Sequence, residues 1–215
     1  MIDVILPCLD EAPALPRVLA DVPAGLRPLV VDNGSTDGSA EIAAGLGAQV
    51  VRCAEPGYGA ACHAGLLAST TEVIAFCDCD GSLRLADVAD LARPVLDGSA
   101  DMALGRRVAV SRDAWPPHAR LANAVLARRL RQLGLPVHDV SPARVVRRDA
   151  LLALGVSDRR SGYPLELLVR AARAGWRVAE RNVDYHPRVG RSKVTGSVLG
   201  TVRAVRDMSV VLARD

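Results

Sequence analysis

Aromatic residues are scarce in this chain of 215 residues, since one Phe, two Trp and three Tyr make up only 3% of it. Proteins that hold single-stranded nucleic acid stack its bases on several aromatic side chains, so this scarcity argues against nucleic acid as a partner. Lysine is scarcer still, because Lys193 is the only one among 27 basic residues. The rest are arginines, and such a compositional bias lowers the weight of any single arginine as a functional residue.

Long apolar runs and an even set of cysteines are also missing. No apolar run reaches the roughly 18 residues that span a bilayer, so the sequence predicts no transmembrane helix. The five cysteines are an odd number, and the spacing of Cys77 and Cys79 is too short for a zinc site. Residues 2–7 predict a strand and not a signal peptide. We therefore expect a cytoplasmic protein with reduced, buried thiols.

The composition that remains is that of a folded globular domain. Half of the residues are hydrophobic and 24% are charged, which suffices for a core, and the length favours one domain over residues 1–215. Apolar strands alternate with amphipathic helical segments, which predicts an α/β fold with a mostly parallel sheet covered on both faces. The predicted strands are Ile2–Leu6, Leu29–Val31, Gln49–Val51, Val73–Phe76, Asp101–Gly105, Val140–Val146 and Val178–Tyr185. The predicted helices cover 13–22, 38–46, 59–69, 86–96, 118–133, 165–174 and 195–213.

Acidic turns follow three of these strands, with Asp10 and Glu11 after the first, Asp32 after the second, and Asp78 and Asp80 after the fourth. The carboxyl ends of parallel strands meet at one edge of a sheet, where ligands bind. Crowded carboxylates repel one another, so the cluster predicts a divalent cation or hydroxyl donors such as those of ribose. The Asp-x-Asp pair suits a hard cation, which prefers carboxylate oxygens. The alternative is an ordinary loop in which Asp80 caps the next helix.

Together these turns resemble the family 2 glycosyltransferases, which have the Rossmann-like A-type glycosyltransferase fold, and especially their polyprenyl-phosphate (dolichyl-phosphate mannosyltransferase-like) branch. The resemblance covers nearly the whole chain and implies an inverting transfer of a hexose from a nucleotide-diphosphate sugar, with Mg²⁺ or Mn²⁺. The motifs that carry it are Pro7-x-x-Asp10-Glu11, residues 30–39, Gly57-x-Gly59, Asp78-Cys79-Asp80-Gly81-Ser82, Gly105-Arg106-Arg107 and Arg188-x-Gly190-x-Ser192-Lys193.

The resemblance also implies roles for single residues. Residues 1–105 would bind the donor and residues 106–215 the acceptor, with Asp78 and Asp80 as metal ligands. Three positions depart from the family pattern, namely Asn33, Tyr58 and His63, and they leave the nucleotide base and the sugar open. The residues implied in binding the nucleotide sugar are Pro7, Leu9, Glu11, Asp32, Gly59, Asp78, Cys79, Asp80 and Arg106.

The acceptor is expected to meet a basic segment, because residues 188–193 hold three cations and a hydroxyl, which suits a phosphate. The predicted acceptor-binding residues are Arg144, Arg188, Arg191, Ser192 and Lys193. A polyprenyl phosphate is the favoured acceptor, and it is already ionised. A soluble hydroxyl or thiol acceptor would need a general base. Glu166 is the best candidate for that base and Asp139 the second, although a helix-start Glu and a turn Asp also have structural roles.

The last predicted helix, over 197–213, has apolar residues at helical spacing. Such a helix packs on its own domain or lies on a membrane surface, where it would bring the site to a lipid acceptor. Two other functions remain open, a nucleotidyltransferase and a nucleotide-sugar-binding module without turnover. The sequence is also compatible with a homo-oligomer.

Overall fold

The structure is a computed structural model that describes the backbone of residues 1–190 and 198–213, and side chains except those of 191–202, 214 and 215. It contains one seven-stranded sheet. The strands are β1 (Ile2–Cys8), β2 (Leu26–Asp32), β3 (Gln49–Arg52), β4 (Val73–Phe76), β5 (Met102–Ala109), β6 (Arg144–Arg147) and β7 (Val178–Tyr185). The helices are α1 (Leu15–Leu19), α2 (Ser39–Gly45), α3 (Tyr58–Ala68), α4 (Leu85–Leu91), α5 (Arg93–Leu96), α6 (Pro117–Gln132), α7 (Arg148–Leu154), α8 (Tyr163–Arg173) and α9 (Val198–Ala213).

The sheet is mostly parallel, in the order β3-β2-β1-β4-β6-β5-β7, which confirms the predicted α/β class. Only β6 runs antiparallel to its neighbours β4 and β5. Phe76, the last residue of β4, is therefore paired with Arg144, the first residue of β6. This reversal brings the beginning of β6 to the edge at which the parallel strands end.

Helices cover both faces of the sheet, and each face has its own core. Along β1 the side chains alternate, so that Val4 and Leu6 lie in one core with Leu15 of α1. Ile5 lies in the other core, which includes Leu66 of α3. These strand residues are fully buried, as expected for a parallel sheet enclosed by helices.

Two prolines shift the boundaries that the sequence predicts. The expected helix over 86–96 is two short helices, α4 and α5, because Pro94 lacks the N–H that a continuous helix needs. The expected strand Val140–Val146 begins only at Arg144, since Pro142 has no N–H to donate to a central ladder. Strand β5 runs past the predicted end at Gly105 to Ala109.

Helix α9 packs on the rest of the protein through the part whose side chains are described. Val211 is buried, and Met208 and Leu212 pack against the core that also holds α8. Part of its apolar surface is thus used for packing, while Val205 and Val210 are 58% and 41% exposed, and contact of this helix with a membrane stays a prediction. Within the described ranges, no helix is both long enough and apolar enough to cross a membrane.

Candidate functional site

Hydrogen bonds join the acidic turns after β1 and β2 to each other. Asp10, which has a φ of 51°, accepts the N–H of Thr36 at 2.8 Å. In return, Asp37 of the second turn accepts the N–H of Ala12 at 3.0 Å. Asp32 is buried and accepts the N–H of Ser35 at 3.1 Å. Both turns are therefore held in place before any ligand binds.

The turn after β4 places Asp78 and Asp80 at the same edge of the sheet. Oδ1 of the buried Asp80 accepts the N–H of Ser82 at 2.9 Å, and the hydroxyl of Tyr58 donates to Oδ1 of Asp78 at 3.3 Å. Burial, and next the negative charge of Asp80, raise the pKa of Asp78 to about 6. The two carboxylates therefore repel each other electrostatically.

This carboxylate pair suits a hard divalent cation, which takes oxygen ligands. In the described part of the chain, no group of three or more His, Cys, Asp or Glu residues is arranged to hold a metal ion. An ion held by Asp78 and Asp80 would therefore need further oxygens from water or from a bound diphosphate. The residues therefore fit a site in which protein and substrate both supply ligands to the ion better than a site made of protein ligands alone.

Arg188 joins the far end of the chain to this edge. Its Nη2 lies 2.8 Å from Oε1 of Glu11, and its Nη1 lies 3.4 Å from Oδ2 of Asp80. The N–H of Val189 also donates to the carbonyl of Asp80 at 2.9 Å. One guanidinium therefore balances two acidic turns. The other predicted residues of this basic segment, Arg191, Ser192 and Lys193, lie outside the described residues.

Arg144 is the most buried cation at this edge, with 1% of its surface exposed. Its Nε and Nη1 have no hydrogen-bond partner among the described residues. Its positive charge acts against the rise in the pKa of Asp78, which places the two side chains near each other. We call the group Glu11, Asp32, Asp78, Asp80, Arg144 and Arg188 the strand-end site.

Asp139 is buried and bound by Arg107, whose Nη2 and Nε lie 2.7 and 2.9 Å from the two carboxylate oxygens. The Arg107 guanidinium also stacks on the rings of Trp115, at 4.2 Å, and Tyr185, at 5.3 Å. The neighbouring Arg106 is exposed, and both arginines line a cavity of about 320 Å³.

Glu166 is fully engaged at the start of α8. Its carboxylate accepts the N–H groups of Ser157 and Asp158, the hydroxyl of Ser157, and Nε–H of Arg170. Burial would raise the pKa of Glu166, but these hydrogen bonds outweigh it and lower that pKa. It also lines a separate cavity beside α7 and α9. Glu166 therefore anchors the loop that precedes α8.

Four further residues were predicted to bind the donor. Pro7 and Leu9 are half-buried at the end of β1. Cys79 is 2% exposed and belongs to a core. Gly59 packs α3 against a loop, since its N–H donates to the carbonyl of Arg160 at 3.0 Å. This amide is already used, so the glycine serves the close approach of two backbones.

Sequence reasoning missed two residues that act next to the strand-end site. Tyr58 was noted only as a departure from the family pattern, yet it hydrogen-bonds to Asp78. Arg107 belonged to a noted motif without a role of its own, yet it binds Asp139, and its charge acts to lower the pKa of Asp78.

The chain is similar in sequence to known proteins. The family model for glycosyl transferase family 2 matches residues 3–155. An uncharacterized glycosyltransferase of Mycobacterium tuberculosis (strain ATCC 25618 / H37Rv) is 55% identical over 214 residues, which are 99% of this chain and 98% of that protein. A dolichyl-phosphate hexose transferase of Haloferax volcanii is 31% identical over 196 residues, 89% of this chain and 85% of that protein.

A solved structure is also similar over nearly the whole chain. It is glucosyl-3-phosphoglycerate synthase from Mycobacterium tuberculosis in complex with Mn²⁺, uridine diphosphate and glucosyl-3-phosphoglycerate. The TM-score is 0.78 at 23% identity, and the match covers 99% of this chain and 78% of that one. At this identity the likeness shows the fold.

Proposed function

The chain belongs to glycosyl transferase family 2, and from the geometry of its strand-end site we propose that it transfers a hexose from a nucleotide-diphosphate sugar to a polyprenyl phosphate, with Mg²⁺ or Mn²⁺. The acceptor phosphate oxygen forms a bond to the anomeric carbon. The bond from that carbon to the diphosphate breaks, and nucleoside diphosphate leaves on the opposite face, so the configuration inverts.

The observation that carries the acceptor class is the buried guanidinium of Arg144. A buried charge without hydrogen-bond partners is costly, and Nε and Nη1 of Arg144 have none in the described residues. A phosphate presents several anionic oxygens and matches the planar fork of a guanidinium. Arg144 therefore favours an acceptor that brings a phosphate to the strand-end site.

The carboxylates that were candidates for a general base support the same acceptor. Arg107 holds both oxygens of Asp139, and Glu166 is occupied by hydrogen bonds that lower its pKa. A hydroxyl acceptor needs a group that takes its proton, whereas a phosphate acceptor is already ionised. The proposal assigns no proton transfer to Asp139 or Glu166, and their role as a base stays a prediction.

On the donor side, Asp78 and Asp80 would hold the cation, with Asp80 as the main ligand. A bound divalent ion acts as a Lewis acid and neutralises the charge that grows on the leaving diphosphate. Pro7, Leu9, Glu11 and Asp32 would line the pocket for base and ribose. The complex of glucosyl-3-phosphoglycerate synthase with Mn²⁺ and uridine diphosphate supports this assignment for a chain of the same fold.

We further propose that residues 1–105 bind the donor and residues 106–215 the acceptor. Arg106 would contact the sugar nucleotide from the second half, and Arg188 with the segment 191–193 would bind phosphate. The similarity to a dolichyl-phosphate hexose transferase over 89% of the chain supports the lipid-borne acceptor. A soluble phosphorylated acceptor offers the same charge, so the test must separate the two.

The test is transfer of labelled sugar from a panel of nucleotide sugars with Mn²⁺ to a short-chain polyprenyl phosphate or to a phosphorylated three-carbon acid. We expect label in the organic phase and release of nucleoside diphosphate. Label only on the water-soluble acid would assign the acceptor to the soluble class. Release of pyrophosphate would identify a nucleotidyltransferase, and release of neither would identify a binding module.

A pair of variants on β6 makes this test specific for Arg144. Arg144→Lys keeps the charge but loses the planar fork, and we expect transfer to fall by at least about tenfold. Arg147→Lys changes the other end of the same strand, where the arginine pairs with Glu72 at the surface, and should leave transfer unchanged. Equal activity of the two variants would remove Arg144 from the proposed site.

A further inference from the structure

Positive charge is concentrated in one segment of the chain. Residues 102–138 contain seven arginines and a single acidic residue, Asp113, which gives a net charge of +6 with neutral histidines. The whole chain carries only +3, so the remainder is net negative. The seven arginines are Arg106, Arg107, Arg112, Arg120, Arg128, Arg129 and Arg131.

The same segment exposes apolar side chains. Val108 and Val110 at the end of β5 are 44% and 48% exposed, and Leu121 and Val125 of α6 are 68% and 62% exposed. Elsewhere Leu46 and Leu67 are single exposed residues, which need no special explanation, and Val205 and Val210 are exposed on α9. In residues 102–138 four exposed apolar side chains accompany an excess of arginine.

Helix α6 shows how the two features combine. Of its 16 residues only Ala127 and Leu130 are buried, and they lie on the side that faces the protein. With 3.6 residues per turn, Leu121, Val125 and Arg128 fall on the opposite side, toward solvent. Arg129 lies next to them. This outer side is thus apolar along its first turns and basic at its end.

We propose that the outer side of α6, with the adjoining end of β5, is a docking surface for an anionic lipid bilayer. A basic amphipathic helix that lies in the interface buries its apolar residues among the headgroups and sets its cations on lipid phosphates. Each arginine near such a surface adds attraction. We call the residues Val108, Val110, Leu121, Val125, Arg128 and Arg129 the basic apolar surface.

The position of this surface matches the use of a lipid-borne substrate. The cavity of about 320 Å³ is lined by Val108 of β5, by Trp115 and by Arg120 of α6, so it shares Val108 with the surface. A bilayer against α6 would therefore hold polyprenyl phosphate on the side of the protein where Arg106, the proposed contact of the sugar nucleotide, lies. This benefit rests on the proposed function, but the docking itself does not.

The positive charge of this segment favours an anionic bilayer over a second copy of the chain as the partner of the surface. Arg107 is paired with Asp139, but the other six arginines of the segment are exposed, so two copies meeting here would set like charges against each other, which repel. An anionic bilayer supplies the opposite charge over a large area. Self-association is therefore an outcome that would contradict the proposal.

The experiment is flotation of the full chain with vesicles of phosphatidylcholine alone or of phosphatidylcholine mixed with phosphatidylglycerol, without donor or acceptor. We expect binding to the anionic vesicles only, weaker at high salt because the charges are screened. Absence of binding to anionic vesicles at low salt would overturn the proposal. Because no turnover is involved, failure here and failure of the proposed function can be told apart.

Variants distinguish binding through this surface from nonspecific adsorption to vesicles. Leu121→Glu with Val125→Glu, and Arg128→Glu with Arg129→Glu, should each weaken vesicle binding by at least about tenfold. The matched controls, Leu46→Glu with Leu67→Glu and Arg52→Glu with Arg93→Glu, change other exposed residues elsewhere and should bind as the parent chain does. An equal loss of vesicle binding in the surface variants and in the controls would contradict the proposal. So would a dimer of the parent chain that the surface variants dissociate and the controls do not.

Discussion

Arg188 forms an ion pair with Glu11, 177 residues earlier in the chain, at 2.8 Å from Nη2 to Oε1. The Glu11 side chain is 10% exposed and that of Arg188 is 28% exposed. The pair therefore lies in a partly dry environment, where losing one partner leaves the other charge poorly solvated. Since Asp80 shares the same guanidinium, two carboxylates depend in part on one cation.

The first prediction concerns this dependence. Arg188→Ala should lower the stability by about 2 kcal/mol, because it removes one cation from two largely buried carboxylates, and a chain of this size then melts about 4–8 °C lower. Differential scanning calorimetry measures the shift. Arg52→Ala is the control, since its pair with Glu41 is largely exposed and is worth little. A shift no larger than that of the control would contradict the shared role.

The second prediction concerns metal. Asp78→Asn with Asp80→Asn should abolish the Mn²⁺-dependent part of nucleoside diphosphate binding, since neutral amides are poor ligands for a hard cation. Isothermal titration with and without Mn²⁺ measures it. Asp97→Asn with Asp113→Asn alters two surface carboxylates elsewhere and should keep metal dependence. Unchanged Mn²⁺-dependent affinity in the first variant would refute the metal site.

The third prediction concerns the backbone approach at Gly59. A Cβ at this position would lie 2.7 Å from the carbonyl oxygen of Asp158 and 2.8 Å from Cβ of Tyr163. Gly59→Ala must therefore push a loop away from α3, and we expect a loss of about 1–3 kcal/mol in urea unfolding. Gly45→Ala, in a helix with open space around it, should be neutral or slightly stabilising. Similar effects at both glycines would rule out the packing role.

The fourth prediction concerns Asn33, which stands where the family more often has an acid. Its Nδ2 donates to the carbonyls of Cys53 at 3.2 Å and Glu55 at 2.7 Å, and its Oδ1 accepts the N–H of Gly57. A carboxylate cannot donate, so Asn33→Asp should cost about 1–3 kcal/mol at neutral pH. Thermal unfolding measures the loss of stability. The control is Gln49→Glu, which makes the same change from amide to carboxylate on an exposed strand residue. Equal losses of stability in the two variants would argue against a structural role for the hydrogen bonds of Asn33.

The fifth prediction concerns acid. Asp3 is buried, which alone would raise its pKa, but hydrogen bonds from Arg27, Ser69 and Thr70 lower that pKa from 3.8 to about 2. Its contribution to stability is therefore complete above pH 3.8 and is lost as the pH falls through 2. Allowing for the solvent at Arg27, which is 39% exposed, we expect about 1–2 kcal/mol.

Urea unfolding of the parent chain and of Asp3→Asn measures this term. The difference between them should be constant from pH 7 to 5 and should shrink as the pH approaches 2. Asp149→Asn, with a side chain that is 92% exposed, should show no such trend. A difference between parent and Asp3→Asn that is the same at all pH values would exclude this assignment.

The sequence could predict the parallel half of the sheet and the acidic turns because both depend on local pattern. Apolar runs mark β1 and β4, and a turn must follow each buried strand. The pairing of Arg188 with Glu11 could not be foreseen, since it depends on how β7 joins the sheet. The engagement of Glu166 was hidden for the same reason, because its partners lie in a loop without a distinctive pattern.

The contact between Arg188 and Glu11 also sets an order for the assembly of the protein. A chain interrupted at residue 155, where the family match ends, would contain Glu11, Asp32, Asp78 and Asp80 but neither β7 nor Arg188. Its acidic edge would keep Arg144 but lack the guanidinium that pairs with Glu11 and Asp80. Synthesis therefore completes the charge balance of the donor side only when nearly nine-tenths of the chain has been made.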